Sequence, residues 1–171
     1  MRILGHPVHP MLVHFPIACW SLASLCDALA LSGLYPAAWD WSAPLLAVGL
    51  AIALPAMVTG FLDLARIGND AAARLADRHM IAMGSAFTLY LGALGLRVET
   101  LQLSAEPAFL PALAGWAGLA VMGIGGWLGG QLVHHHGIGT RFAGDAASGA
   151  ARDGADSGPG TRADSSGDGL T

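Results

Sequence analysis

LLAVGLAIALPAMV, residues 45–58, carries no charged side chain on any face of the helix it would form. A helix that faces water needs a polar side, so this stretch belongs in a bilayer or a large apolar interior. It is the middle of a run from Ala43 to Ala65, and three runs of similar length accompany it: Leu12 to Leu34, Met80 to Leu96 and Phe109 to Val133. Roughly 20 apolar residues span the ~30 Å of bilayer hydrocarbon as a helix. No segment alternates apolar and polar residues as a membrane β-strand does. ALAGWAGLAVMGIGGWL, residues 112–128, is as free of a polar face as the opening stretch. The fold class expected is therefore all-α: an integral membrane four-helix antiparallel bundle over residues 1–143, followed by a disordered tail over residues 144–171.

The totals agree. Of 171 residues, 54% are hydrophobic and 12% charged, and mean hydropathy is +0.55; soluble domains carry about a quarter charged residues. All the basic residues are arginine, and they form no stripe, which excludes nucleic acid as a partner. Cys19 and Cys26 lie seven residues apart on one helix, roughly 10 Å, too far for a disulfide. They read as small packing residues. The first run is too long for a cleaved signal segment and is expected to stay. From Gly144 onward the chain is mostly Gly, Ala, Ser and Asp, with too little apolar surface to fold.

The connections are short. YPAAWDW, residues 35–41, joins the first two helices and places aromatics at an interface, with Pro36 as a stop. Residues 67–78 join the second and third; Asn69-Asp70 is a plausible cap, so AAARLADR extends the third helix at its start. Residues 98–108 join the third and fourth. Arg2, Arg66, Arg74, Arg78 and Arg141 fall on one side of four spans, and only Arg97 on the other. The positive-inside rule then puts both termini in the cytoplasm. Pro55 should bend the second helix, and Pro16 either starts or kinks the first. Gly125, Gly126, Gly129 and Gly130 suit close helix packing, or else clear room for a flat cofactor.

Chemistry is suggested by histidine. His6, His9 and His14 sit at the start of the first helix, His79 opens the third, and His134, His135 and His136 close the fourth. All seven fall at one end of the bundle, where Asp63 ends the second helix. At 3.6 residues per turn, His136 lines up with Gly129, Gly125 and Gly118, His79 with Met83, Ala86 and Tyr90, and Asp63 with Gly60, Thr59 and Ala56. Two site readings compete. In the first, His14, His79 and His136 include two axial ligands of a b-type haem, which needs two imidazoles from different helices. Alternatively these three with Asp63 hold a transition-metal ion. Against both stands a bland reading, in which the histidines cap helix ends and touch headgroups. Asp27, roughly 20 Å beyond His14, is read as structural, protonated or paired near the far interface. No phosphate loop, CxxC, GxSxG or HExxH occurs, so no catalytic residue is assigned.

Gly5-His6-Pro7-x-His9-Pro10-Met11-Leu12-Val13-His14-Phe15-Pro16 resembles the opening of a bacterial membrane family known as domain of unknown function 2231. Gly60-x-x-Asp63, Arg78-His79-Met80 and Gly129-Gly130-x-Leu132-Val133-x-x-His136-Gly137-x-Gly139 agree with it; His134 stands where tyrosine is expected. The resemblance covers residues 5–140. It implies a four-helix protein of the inner membrane without an assigned activity. Some relatives are joined to Rieske-type iron–sulfur domains, which implies electron transfer and redox partner proteins.

Overall fold

The computed structural model of the chain describes residues 2–3, 6–64, 70–99, 102–103 and 106–136. Four long helices dominate them: α1 (Val8–Leu31), α2 (Trp39–Leu64), α3 (Asp70–Gly95) and α4 (Phe109–His136). Two small antiparallel pairs accompany them. β1 (Arg2–Ile3) pairs with β2 (His6–Pro7) ahead of α1, and β3 (Val98–Glu99) with β4 (Gln102–Leu103) between α3 and α4. The expected all-α membrane bundle is what the chain forms. Segments His9–Leu31, Pro36–Leu64 and Phe109–His135 are long and apolar enough to cross a bilayer. α3 has the length, but its first turns carry the exposed Arg74, Asp77 and Arg78. The expected polar extension of the third helix is thus present and helical from Asp70. The expected disordered tail lies outside the described residues.

Local chemistry sets the boundaries. Pro10 is tolerated in the first turn of α1, where its missing N–H would have no partner. Pro16 lies well inside, so of its two expected roles the interior one applies. At the other end, Gly33 takes φ +75°, the left-handed conformation that closes a helix. Its N–H donates to the Ala30 carbonyl and that of Tyr35 to the Leu29 carbonyl. A 3-10 turn, Pro36–Ala38, leads into α2. Trp41 and Tyr35 are exposed as an interfacial pair should be, whereas Trp39 is buried. Cys19 and Cys26 are unpaired.

α1 packs most extensively on α2 and α3 on α4; lighter α1–α4 and α2–α3 contacts close the ring. α1 and α3 therefore stand diagonally and meet through large side chains at the centre, where Trp20 stacks on Tyr90 with ring centroids 4.5 Å apart. Ala23, Leu46, Ala53, Ala86, Ala93 and Met122 complete this core.

The ring has an internal repeat. Four buried residues of α1 have buried counterparts 70 positions on: Pro16 with Ala86, Trp20 with Tyr90, Ala23 with Ala93 and Asp27 with Arg97. α2 and α4 match at a constant offset one residue shorter. Ala43 corresponds to Ala112, Leu46 to Gly115, Gly49 to Gly118, Ala53 to Met122 and Ala56 to Gly125, all buried. Among the described residues the α1–α2 and α3–α4 hairpins thus share a pattern of buried positions. Side-chain seating repeats with the backbone: a Cβ on Gly49 would collide with the Trp20 indole, and one on Gly118 would come within 3.1 Å of the Tyr90 ring.

Candidate functional site

Two histidines occupy equivalent places in the two hairpins. His9, in the first turn of α1, lies seven residues before Pro16 and eleven before Trp20, on the buried face. Its Nδ1 is 2.8 Å from the Ala56 carbonyl oxygen of α2. The ring lies over Gly60, where a Cβ would come within 2.9 Å of Cε1. His79, on α3, repeats this on the other hairpin. Its Nδ1 is 2.7 Å from the Gly125 carbonyl oxygen of α4, and a Cβ on Gly129 would stand 3.0 Å from its Cε1. Glycine is required at Gly60 and Gly129 for the same reason: an imidazole occupies the space of their side chains.

The bonding fixes the chemistry of both rings. A carbonyl oxygen only accepts, so each Nδ1 carries the proton and donates. In the neutral rings Nε2 then holds the free lone pair. This is the way ligand histidines are oriented: the second ring nitrogen is tied to a carbonyl, and the metal-binding nitrogen is presented. The two imidazoles stand near each other, on diagonal helices at one end of the bundle. The Ala56 carbonyl sits just past Pro55, which lacks an N–H and loosens the helix there. The Thr59 hydroxyl donates to the same region, 3.0 Å from the Pro55 oxygen and 2.9 Å from that of Ala56.

The residues singled out from sequence fare differently. His79 is half-buried and anchored, as its inward stripe with Met83, Ala86 and Tyr90 suggested. His14 is exposed, five residues along α1 from His9 and off the buried face. The His136 side chain lies outside the described residues, and His134 and His135 are exposed. Asp63 is half-buried at the end of α2 and has an interaction partner there. Among the described residues no three His, Cys, Asp or Glu side chains gather in a way that would hold a metal ion. His14, His79 and Asp63 therefore do not form three corners of one site. His9 is the residue that sequence reasoning undervalued. Its register with Pro16, Trp20 and Asp27, and its match to His79, were the available signals. The α4 glycines seat side chains: Gly125 takes Met83, with 2.6 Å between Sδ and the position of a Cβ, and Gly129 takes His79, while Gly126 and Gly130 meet nothing within 4 Å.

The opposite end of the bundle holds a buried ion pair. Arg97, just past α3, places Nη2 2.5 Å from Asp27 Oδ2, and each side chain is 1% exposed. Arg97 Nη1 donates to the Ala93 carbonyl at 2.8 Å, and the guanidinium lies 4.6 Å from the Trp39 ring centroid, a cation–π contact. The pairing expected for Asp27 near the far interface is present. Arg97 belongs to the bundle interior, not to the far loop's solvent-facing charge.

The family described as a predicted membrane protein, DUF2231, matches residues 5–141, and the chain belongs to it. The match includes all four long helices and both ends of the bundle. The chain is a multi-pass membrane protein associated with the lipid bilayer. No curated protein and no solved structure matches it.

Proposed function

With membership of this membrane family as the premise, we propose that the chain holds a transition-metal centre at His9 and His79 and carries electrons through it. The observation behind this reading is the paired anchoring of two Nδ1 atoms on backbone carbonyls at pseudo-equivalent positions. That arrangement presents two Nε2 lone pairs from diagonal helices, the donor set of a bis-imidazole haem b iron. Held by His9 and His79, such a group would supply one-electron transfer. His79 and Met83 already occupy the seats at Gly129 and Gly125, so those glycines do not serve as a slot for the ring. Relative to the ligand set expected from sequence, His9 takes the place of His14. Asp63 and His136 lie one and two turns further out from Gly60 and Gly129, as candidates to reinforce the site.

A second reading keeps the pair and replaces haem by a bare ion. Met83 favours it: its thioether stands one turn inward from His79, against the glycine whose carbonyl holds that ring. Imidazole with thioether suits copper(I). Both readings place the protein in the bacterial cytoplasmic membrane, termini on the cytoplasmic side, serving redox partner proteins and performing no catalysis of its own. A visible spectrum of the purified protein, with and without dithionite, together with elemental analysis, tests them. A reducible Soret band supports haem; a colourless protein with stoichiometric copper supports the bare ion. A protein lacking both opposes the proposal.

A further inference from the structure

The Asp27–Arg97 end of the bundle contains more hydrogen-bonding capacity than its own atoms use. Oδ2 of Asp27 takes the Arg97 bond, but Oδ1 is buried without a partner among the described residues, and so is Arg97 Nε. The Tyr90 hydroxyl is buried too, on a side chain that is 0% exposed. It lies beside Ser24 and near Asp27, without a hydrogen bond to either. Ser24 is already committed: its hydroxyl donates to the Trp20 carbonyl at 2.9 Å and leans on the Gly115 carbonyl at 3.5 Å. Gly115 borders this region: a Cβ there would meet Asp27 Oδ2 at 3.5 Å and the Ser24 hydroxyl at 3.9 Å, ordinary van der Waals contact. Leaving one such group bare in an apolar interior costs about 1–3 kcal/mol, and groups of this kind are satisfied by internal water where protein offers nothing.

We propose that these buried polar groups form a binding site for internal water, held between the Tyr90 hydroxyl and the free oxygen of Asp27. The charges choose the ligand. Asp27 repels an anion and Arg97 repels a cation, and the pair is neutral as a whole. The unused groups include an acceptor, Oδ1, a donor, Nε–H, and a hydroxyl that does both. A small neutral molecule that donates and accepts is what they need. Water bound there extends the polar interior from the far end of the bundle to the Trp20–Tyr90 stack, where it stops at an apolar layer that includes Ala53, Ala86 and Met122. The proposal is independent of any ligand at the histidines.

The chain has two tyrosines, Tyr35 and Tyr90, one exposed and one buried, which makes the test clean. The full-length protein, labelled at tyrosine Cζ with carbon-13 and placed in perdeuterated lipid, is examined by water-edited solid-state NMR. Tyr90→Phe assigns the signals. Magnetisation from water should reach Tyr90 nearly as fast as Tyr35, and far faster than the methyls of Ala23 and Ala86. In the double variant Asp27→Leu with Arg97→Met, which removes both charges and strands neither, the fast transfer should be lost. Transfer to Tyr90 as slow as to those alanines in the native protein would overturn the proposal. So would fast transfer that persists in the double variant.

Discussion

Asp27, inside α1, and Arg97, 70 residues on and just past α3, occupy corresponding places in the two hairpins and meet in a buried ion pair. The hairpins are thus joined by opposite charges at one end and carry identical imidazoles at the other. Between them Trp20 and Tyr90, also equivalent, stack at the centre.

Removing one charge should be far worse than removing both. Arg97→Met strands a buried carboxylate and should destabilise the bundle by about 3–5 kcal/mol. Asp27→Leu with Arg97→Met should recover most of that loss. Because the two positions are equivalent, the exchange Asp27→Arg with Arg97→Asp should also restore a folded protein. Denaturant unfolding in detergent reads all three.

The glycines should divide by what they seat. Gly60→Ala and Gly129→Ala force a methyl into the His9 and His79 rings and should cost about 1–3 kcal/mol as overpacking. Gly126→Ala and Gly130→Ala meet open space and should be near neutral. Thermal unfolding of the four variants is the measurement. Equal effects across the set would contradict the seating.

If the repeat is a structural unit, the two hairpins should assemble as separate chains. Coexpression of residues 1–67 and 68–171, with a tag on the first alone, should copurify the second through the α1–α4 and α2–α3 faces and the Asp27–Arg97 pair. Arg97→Met in the second fragment should reduce that recovery.

Reporter fusions test orientation. A fusion at Gly144 should be active only as a cytoplasmic reporter, and one at Asp40, exposed in the first turn of α2, only as an external one. The reverse pattern would invert the bundle without altering its helices.

Much of the fold was legible because hydropathy along LLAVGLAIALPAMV and ALAGWAGLAVMGIGGWL leaves a helix few alternatives. The end-clustering of histidine was legible for the same reason, since helix directions follow from span order. The anchored histidine pair was harder. The first apolar run starts at Leu12, which puts His14 inside it and His9 ahead of it. In fact α1 begins at Val8 and puts His9, not His14, in register with Trp20. The repeat was hidden because few identities survive it. Beyond common Ala and Leu matches, His9 and His79, Gly49 and Gly118, and Gly60 and Gly129 are identical, while Trp20 faces Tyr90 and Asp27 faces Arg97. Burial shows that equivalence directly; residue type conceals it.

The account turns on His9 and His79 acting as one ligand pair. Its most direct test is the haem and metal content of the purified native protein beside His9→Ala, His79→Ala and His14→Ala. The account predicts a bound centre in the native protein, its loss from His9→Ala and from His79→Ala, and its retention in His14→Ala. A native protein without any centre, or loss from His14→Ala with retention in His9→Ala, would contradict it.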